Sequence, residues 1–158
     1  MYHASKFGNG AMVAEELRRV MEARGHQVNV LHIEGADPKE LPLADLYIFG
    51  SPTRLGGPIG SMRRFIKKAS LPSGTRYAIF ATHADEVPDK KTGKMPTEEE
   101  LNRRRKNIPE LDDILKGKGM VKVADKVLNV SPDTMKGSLK AGWQGKVEEF
   151  ANAILGSP

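Results

Sequence analysis

Leu46-Tyr47-Ile48-Phe49-Gly50-Ser51-Pro52-Thr53-Arg54-Leu55-Gly56-Gly57-Pro58 is the stretch that decides the fold. Its first four residues are an unbroken apolar run. A strand with one face in water alternates polar and apolar, whereas one covered on both faces does not, and such strands belong to parallel sheets. We read residues 45–50 as that strand. The glycines and prolines that follow give the chain a rigid, defined path. A plain strand-to-helix connection needs only about two residues, and this one spends far more. It can present backbone donors and acceptors to a flat ring, with Leu55 covering one face.

On either side of this stretch, short apolar segments alternate with helical ones. Residues 1–3 are the end of a strand. Residues 11–24 carry Met12, Val13, Leu17, Val20 and Met21 at helical spacing, and Gly25 stops them. Residues 27–33 read as a strand. Ile59, Met62, Phe65 and Ile66 mark a helix, and residues 76–81 a strand. Thr97-Glu98-Glu99-Glu100 is a capping box that opens a helix. Pro109 kinks or restarts that helix, and Gly117-Lys118-Gly119 ends it. Residues 121–130 contain the last strand. Residues 135–155 read as a final amphipathic helix carrying Leu139, Trp143, Val147, Phe150 and Ile154. Alternation without a repeat or a composition break predicts one α/β domain over 1–158, a three-layer doubly wound parallel sheet. Residues 85–96 interrupt the pattern as a charged loop containing proline and glycine.

In an open parallel sheet, ligands bind at the carboxyl ends of the strands, where the strand order reverses. Three segments lie at such ends. Ser5-Lys6-Phe7-Gly8-Asn9-Gly10 runs from the first strand straight into a helix. Such a turn aims backbone N–H groups and the positive helix end at one point, which is a phosphate site. Gly8 and Gly10 permit close approach and unusual dihedrals, while Ser5 and Asn9 add hydrogen bonds. Ser51, Pro52, Thr53, Arg54, Leu55, Gly56 and Gly57 form the second segment, and Thr82, His83, Ala84 and Asp85 the third. His83 is the histidine placed nearest a ligand. His26 and His32 read as structural or solvated. A single histidine without partners at ligand spacing makes a poor metal site, so no metal is expected, and no catalytic residue is assigned.

Composition narrows the class. With 158 residues and 39% hydrophobic content the chain can bury a real core. No run is long enough to span a membrane, and no secretory signal is visible. The absence of cysteine removes disulfides, thiolate metal sites and cysteine nucleophiles, and suits the cytoplasm. The net charge of +5 favours anionic ligands and acidic surfaces. The basic runs Arg63-Arg64 with Lys67-Lys68, Lys90-Lys91 and Arg103-Arg104-Arg105-Lys106 lie beside apolar residues at helical spacing or in polar loops. They read as solvated faces, so nucleic acid is not an expected partner.

His3-Ala4-Ser5-Lys6-Phe7-Gly8-Asn9-Gly10 resembles the flavodoxin phosphate signature. Phe49-Gly50-Ser51-Pro52-Thr53-Arg54-Leu55-Gly56-Gly57 resembles the second flavin loop, in the form found in flavodoxin-like quinone reductases. The resemblance implies sheet order 2-1-3-4-5 with FMN at the switch point. Three departures stand out. Phe7 and Gly10 replace the usual hydroxyl residues, Leu55 replaces an aromatic residue, and the chain is basic where flavodoxins are acidic. The first strand is a stub, and its slot is expected to be completed upstream or by another copy of the chain. Three functions stay open: an FMN electron carrier serving a redox partner protein; an NAD(P)H-dependent quinone or flavin reductase; and a binding module that has lost FMN. A homo-oligomer is compatible with each.

Overall fold

The computed structural model describes residues 1–132 and 137–158. Strand β1 (Tyr2–His3) lies between β2 (Leu31–His32) and β3 (Leu46–Arg54), and β3 pairs in turn with β5 (Arg76–Ala84), which pairs with β6 (Val121–Val130). All four pairings are parallel. A short antiparallel strand, β4 (Gly57–Pro58), folds back on β3. Leaving out β4, the order is the expected 2-1-3-4-5, with β1 as the two-residue stub.

The helices cover both faces. α1 (Asn9–Ala23) and α5 (Trp143–Leu155) pack on one side, with Leu17, Val147 and Phe150 against Ile48, Ala78 and Phe80. α2 (Gly60–Lys68) and α4 (Asn107–Gly117) pack on the other, with Met62, Ile66, Leu111 and Leu115 against Tyr47, Phe49, Tyr77 and Ile79. Alternate residues of the apolar run 46–49 thus enter opposite cores, which is why the run does not alternate with polar residues. Gly50 is required by the same packing. A Cβ there would lie 2.1 Å from the Phe80 ring across the ladder.

Several boundaries differ from the sequence reading. The strand expected over 27–33 shrinks to Leu31–His32, followed by a 3₁₀ turn at Ile33–Gly35. Among the described residues β2 pairs with β1 alone, which offers two residues, and the ladder cannot outrun its partner. The third and fourth core strands run further than expected. Ser51, Pro52, Thr53 and Arg54 belong to β3, and Thr82, His83 and Ala84 to β5, because the two strands support each other as far as Pro52 and Thr82 and β6 pairs with β5 through Ala84. The Thr97 capping box is present and opens α3 (Glu98–Arg104). Helix α4 restarts at Asn107, so that Pro109 sits in its first turn, where an N–H is not needed. The final helix begins at Trp143. Met135 lies outside the described residues, and Leu139 forms an isolated bridge with Val130.

Candidate functional site

The register places the three candidate segments at one level. His3 pairs with Gly50, Ser51 with Ala81, and Pro52 with Thr82. The chain therefore leaves β1, β3 and β5 at the same carboxyl edge, with the reversal of strand order between β1 and β3.

Turn 5–8 leads into α1 without a side-chain cap. Among the described residues, the N–H groups of Asn9, Gly10 and Ala11 have no acceptor, and the Met12 N–H is the first to be taken, by Gly8 O at 2.9 Å. Free donors at the positive end of a 15-residue helix suit an anion. The two glycines divide the work. Gly8 has φ 94°, which favours glycine, but a Cβ there would meet nothing within 4 Å. Its value is the dihedral, not the open space. At Gly10 a Cβ would lie 3.2 Å from Ser5 Cβ, so this glycine provides the close approach. Ser5 Oγ accepts the Gly8 N–H at 3.1 Å, and Asn9 Nδ2 donates to Gly137 O at 2.6 Å. Lys6 and Phe7 are exposed on the rim.

The second segment is a hairpin rather than an open loop. Thr53 and Arg54 pair with Pro58 and Gly57. Leu55 and Gly56 form the tip with φ of 51° and 82°, the two positive values that a tight hairpin turn demands. Leu55 is fully exposed there. Gly56 packs against the junction of α3 and α4: Lys106 N–H donates to its carbonyl at 2.7 Å, and a Cβ would meet Arg104 O at 2.1 Å. Arg54 and Leu55 thereby stand beside the basic run 103–106, some fifty residues away in sequence. Ser51 and Gly57 are buried. Ser51 Oγ accepts the Ile59 N–H, and Gly57 backs onto the Arg63–Glu110 ion pair.

At the third segment Thr82 is buried and His83 partly so, with its Nε2 3.2 Å from Glu86 Oε1. Ala84 is exposed. Asp85 is a clamp: it accepts from Asn129 Nδ2 at 2.8 Å and Lys140 Nζ at 2.5 Å, and its own N–H donates to Val130 O. The Lys140 bond holds its carboxyl below the usual range despite some desolvation.

The sequence reading leaves Asn107 out and gives His3 and His32 no partner at the site. Asn107, 4% exposed, donates from Nδ2 to Ser51 O (3.2 Å) and Thr53 Oγ1 (2.9 Å), tying the hairpin to α4. Its Oδ1 has no donor among the described residues. It borders a cavity of about 330 Å³ between α4 and edge strand β6, which Thr53, His83, Arg105 and Lys122 also line. His3 and His32 lie under the first turn, their rings 5.1 Å apart and edge to face. His32, at the end of β2 and partly exposed, keeps the structural role read for it: its Nε2 is 3.1 Å from Ser5 O. No sequence motif marks Asn107 or His32, and His3 opens the signature at residues 3–10 without an assigned role. Among the described residues no cluster of metal-ligating side chains occurs, and no helix is long and apolar enough to cross a membrane.

Solved structures match this architecture over nearly the whole chain. A flavodoxin from the domain Archaea superposes with a TM-score of 0.67 at 18% identity, covering 97% of this chain and 92% of that one. The chain has the flavodoxin fold. Oxidised flavodoxin 2 from Bacillus cereus gives a TM-score of 0.65 at 22% identity, covering 97% and 94%. The two-electron reduced flavodoxin of Megasphaera elsdenii gives 0.64 at 16%, covering 96% and 98%. No protein-family model and no curated protein matches the chain in sequence. In flavodoxin-fold terms, the three segments occupy the edge of the sheet at the point where strand order reverses.

Proposed function

We propose that the chain binds FMN on these three segments and transfers electrons through it. The observation that carries this reading is the uncapped start of α1. Its first N–H groups, without an acceptor among the described residues, open a glycine turn at the switch point of a flavodoxin fold, beside the hairpin that Asn107 ties to α4. The residues fit the group. The N–H groups of Asn9, Gly10 and Ala11 would hold the phosphate, and Lys6 adds a positive charge at the rim. The Pro52–Gly57 hairpin and the Thr82–Asp85 strand end would flank the ring, with Leu55 over one face and His83 at its edge. When bound, the flavin supplies reversible one- and two-electron chemistry, and the protein tunes it by charge and hydrogen bonding. Arg54, beside the ring, would favour the form carrying more negative charge.

Titrating the chain with FMN and following the quenching of flavin fluorescence tests the reading. Saturable binding at one FMN per chain, weakened by sulfate, supports it. Riboflavin should bind more weakly than FMN. Equal affinity for the two would remove the phosphate site, and no binding of either would favour the module without cofactor.

A second reading, an NAD(P)H-dependent quinone or flavin reductase, draws support from the cavity that adjoins Thr53 and His83 and from the cationic ridge of Arg54 and residues 103–106. A volume near 330 Å³ suits one small ring system. Steady oxidation of NADPH on adding a quinone to the FMN-loaded chain would favour the enzyme. Its absence, with a flavin that still exchanges electrons with a chemical reductant, would favour the carrier.

A further inference from the structure

We propose that His3 and His32 are positioning residues of the anion-binding turn, and that His3 makes its hold on an anion fall as pH falls. This inference rests on the anion site proposed above.

Ser5 is the second residue after β1, and both of its backbone polar groups are held by imidazoles. Its N–H donates to His3 Nδ1 at 3.3 Å, and its carbonyl lies 3.1 Å from His32 Nε2. The remaining contacts assign the tautomers. His32 Nδ1 accepts the Glu34 N–H at 3.1 Å, so the His32 proton sits on Nε2 and is donated to Ser5 O. His3 Nδ1 is an acceptor, so its proton also sits on Nε2. Both rings are neutral in this arrangement. The clamp reaches the anion donors through Ser5 itself. Ser5 Oγ fixes the Gly8 N–H, and Ser5 Cβ is the surface against which Gly10 packs. Where Ser5 moves, the start of α1 must re-form around it.

Acid acts on the acceptor nitrogen. The open lone pair of His3 is the one that receives the Ser5 N–H, so a proton bound there turns an acceptor into a donor facing a donor. The groups that face His3 are His32 from β2, Glu15 from α1 and the amino group of Met1, which precedes β1, and Glu34 approaches His32 to 4.0 Å. Burial, then His32, hold the His3 pKa below its usual value, and Glu15 opposes them. An imidazolium also attracts an anion. That attraction is spread over the distance through the turn, whereas the lost Ser5 bond misaims the N–H groups themselves, and hydrogen-bond strength falls steeply with misalignment. The geometric loss dominates.

The probe is inorganic sulfate, whose charge is constant over the range, whereas a phosphate monoester titrates near pH 6. Sulfate is titrated into the full chain and followed by the amide resonances of Asn9, Gly10 and Ala11. For wild type, affinity should fall about five- to tenfold between about pH 7.5 and about pH 5.5. His3→Asn places an amide oxygen near the Nδ1 position and has no proton to gain. It should keep the neutral-pH affinity and lose the pH dependence. His32→Gln, which retains a donor to Ser5 O, should preserve the wild-type profile. A wild-type affinity that stays level or rises on acidification overturns the proposal. So does a His3→Asn variant with the wild-type slope. The same spectra without sulfate separate the clamp from the anion site. If sulfate and FMN bind at no pH, the anion reading has failed and this dependence with it. If they bind but the Ser5 amide shift does not follow the His3 titration, the histidine clamp alone has failed.

Discussion

Gly56→Ala should destabilise the protein about twice as much as the same change at Gly25, although both glycines have nearly the same dihedral, with φ of 82° and 86°. At either position an alanine in the left-handed region costs about 1 kcal/mol. At Gly25 nothing lies within 4 Å of the new Cβ, so this is the whole cost. At Gly56 the Cβ would sit 2.1 Å from Arg104 O. Relief requires the hairpin tip to retreat by about 1.3 Å from the α3–α4 junction to restore ordinary carbon–oxygen contact. That movement forfeits the 2.7 Å bond from Lys106 N–H to Gly56 O, worth about 1 kcal/mol. The expected loss is about 2–3 kcal/mol at Gly56 against about 1 kcal/mol at Gly25, or melting points lower by about 5–10 °C and about 2–4 °C. Urea denaturation with a shared m-value and calorimetry read both numbers. FMN affinity should fall in Gly56→Ala and hold in Gly25→Ala, since only the first lies at the proposed ring site. Equal losses of stability would refute the reasoning, because they would show that the tip does not depend on its contact with Arg104.

Asn107→Ala removes both bonds that tie the hairpin to α4 and should cost about 1–3 kcal/mol in denaturant unfolding; a change below about 0.5 kcal/mol would show that the amide holds nothing. His3 also predicts the shape of the stability curve against pH. Its folded-state pKa is lowered, chiefly by burial, so the unfolded chain takes up the proton first; stability is complete above the unfolded value and declines as pH falls through it towards the folded one. Melting points measured across that range should drop more for wild type than for His3→Asn, and parallel curves would contradict this. Arg54→Gln should make reduction of bound FMN harder, because a cation beside the ring favours the more negative form; an unchanged midpoint potential in an anaerobic titration would place the guanidinium away from the ring.

The sequence by itself determined what local pattern encodes. Apolar residues at helical spacing placed α1, α2 and the core of α5, because a helix buries one stripe whatever it packs against. The run 46–49 announced a central strand, since two covered faces leave no polar alternation. Thr97 and Glu100 fixed a helix start through a bond three residues long, and the glycine turn at 5–10 marked the start of α1. Only the tertiary structure decided the rest, because the deciding partners are distant along the chain. Residues 27–33 carry strand pattern, but a ladder needs a neighbour, and β1 supplied two residues of one. The segment after Gly50 looked like a loop until pairing with β5 and contact with residues 104–107 made it a hairpin. Leu139 has helical spacing to Trp143, yet it bridges to Val130 instead. His32 and Asn107 carry no motif, and His3 stands in one that gives its ring no role. They matter because folding sets their nitrogens beside backbone groups of Ser5 and Ser51, and a buried polar group takes whichever partner the packing brings to it.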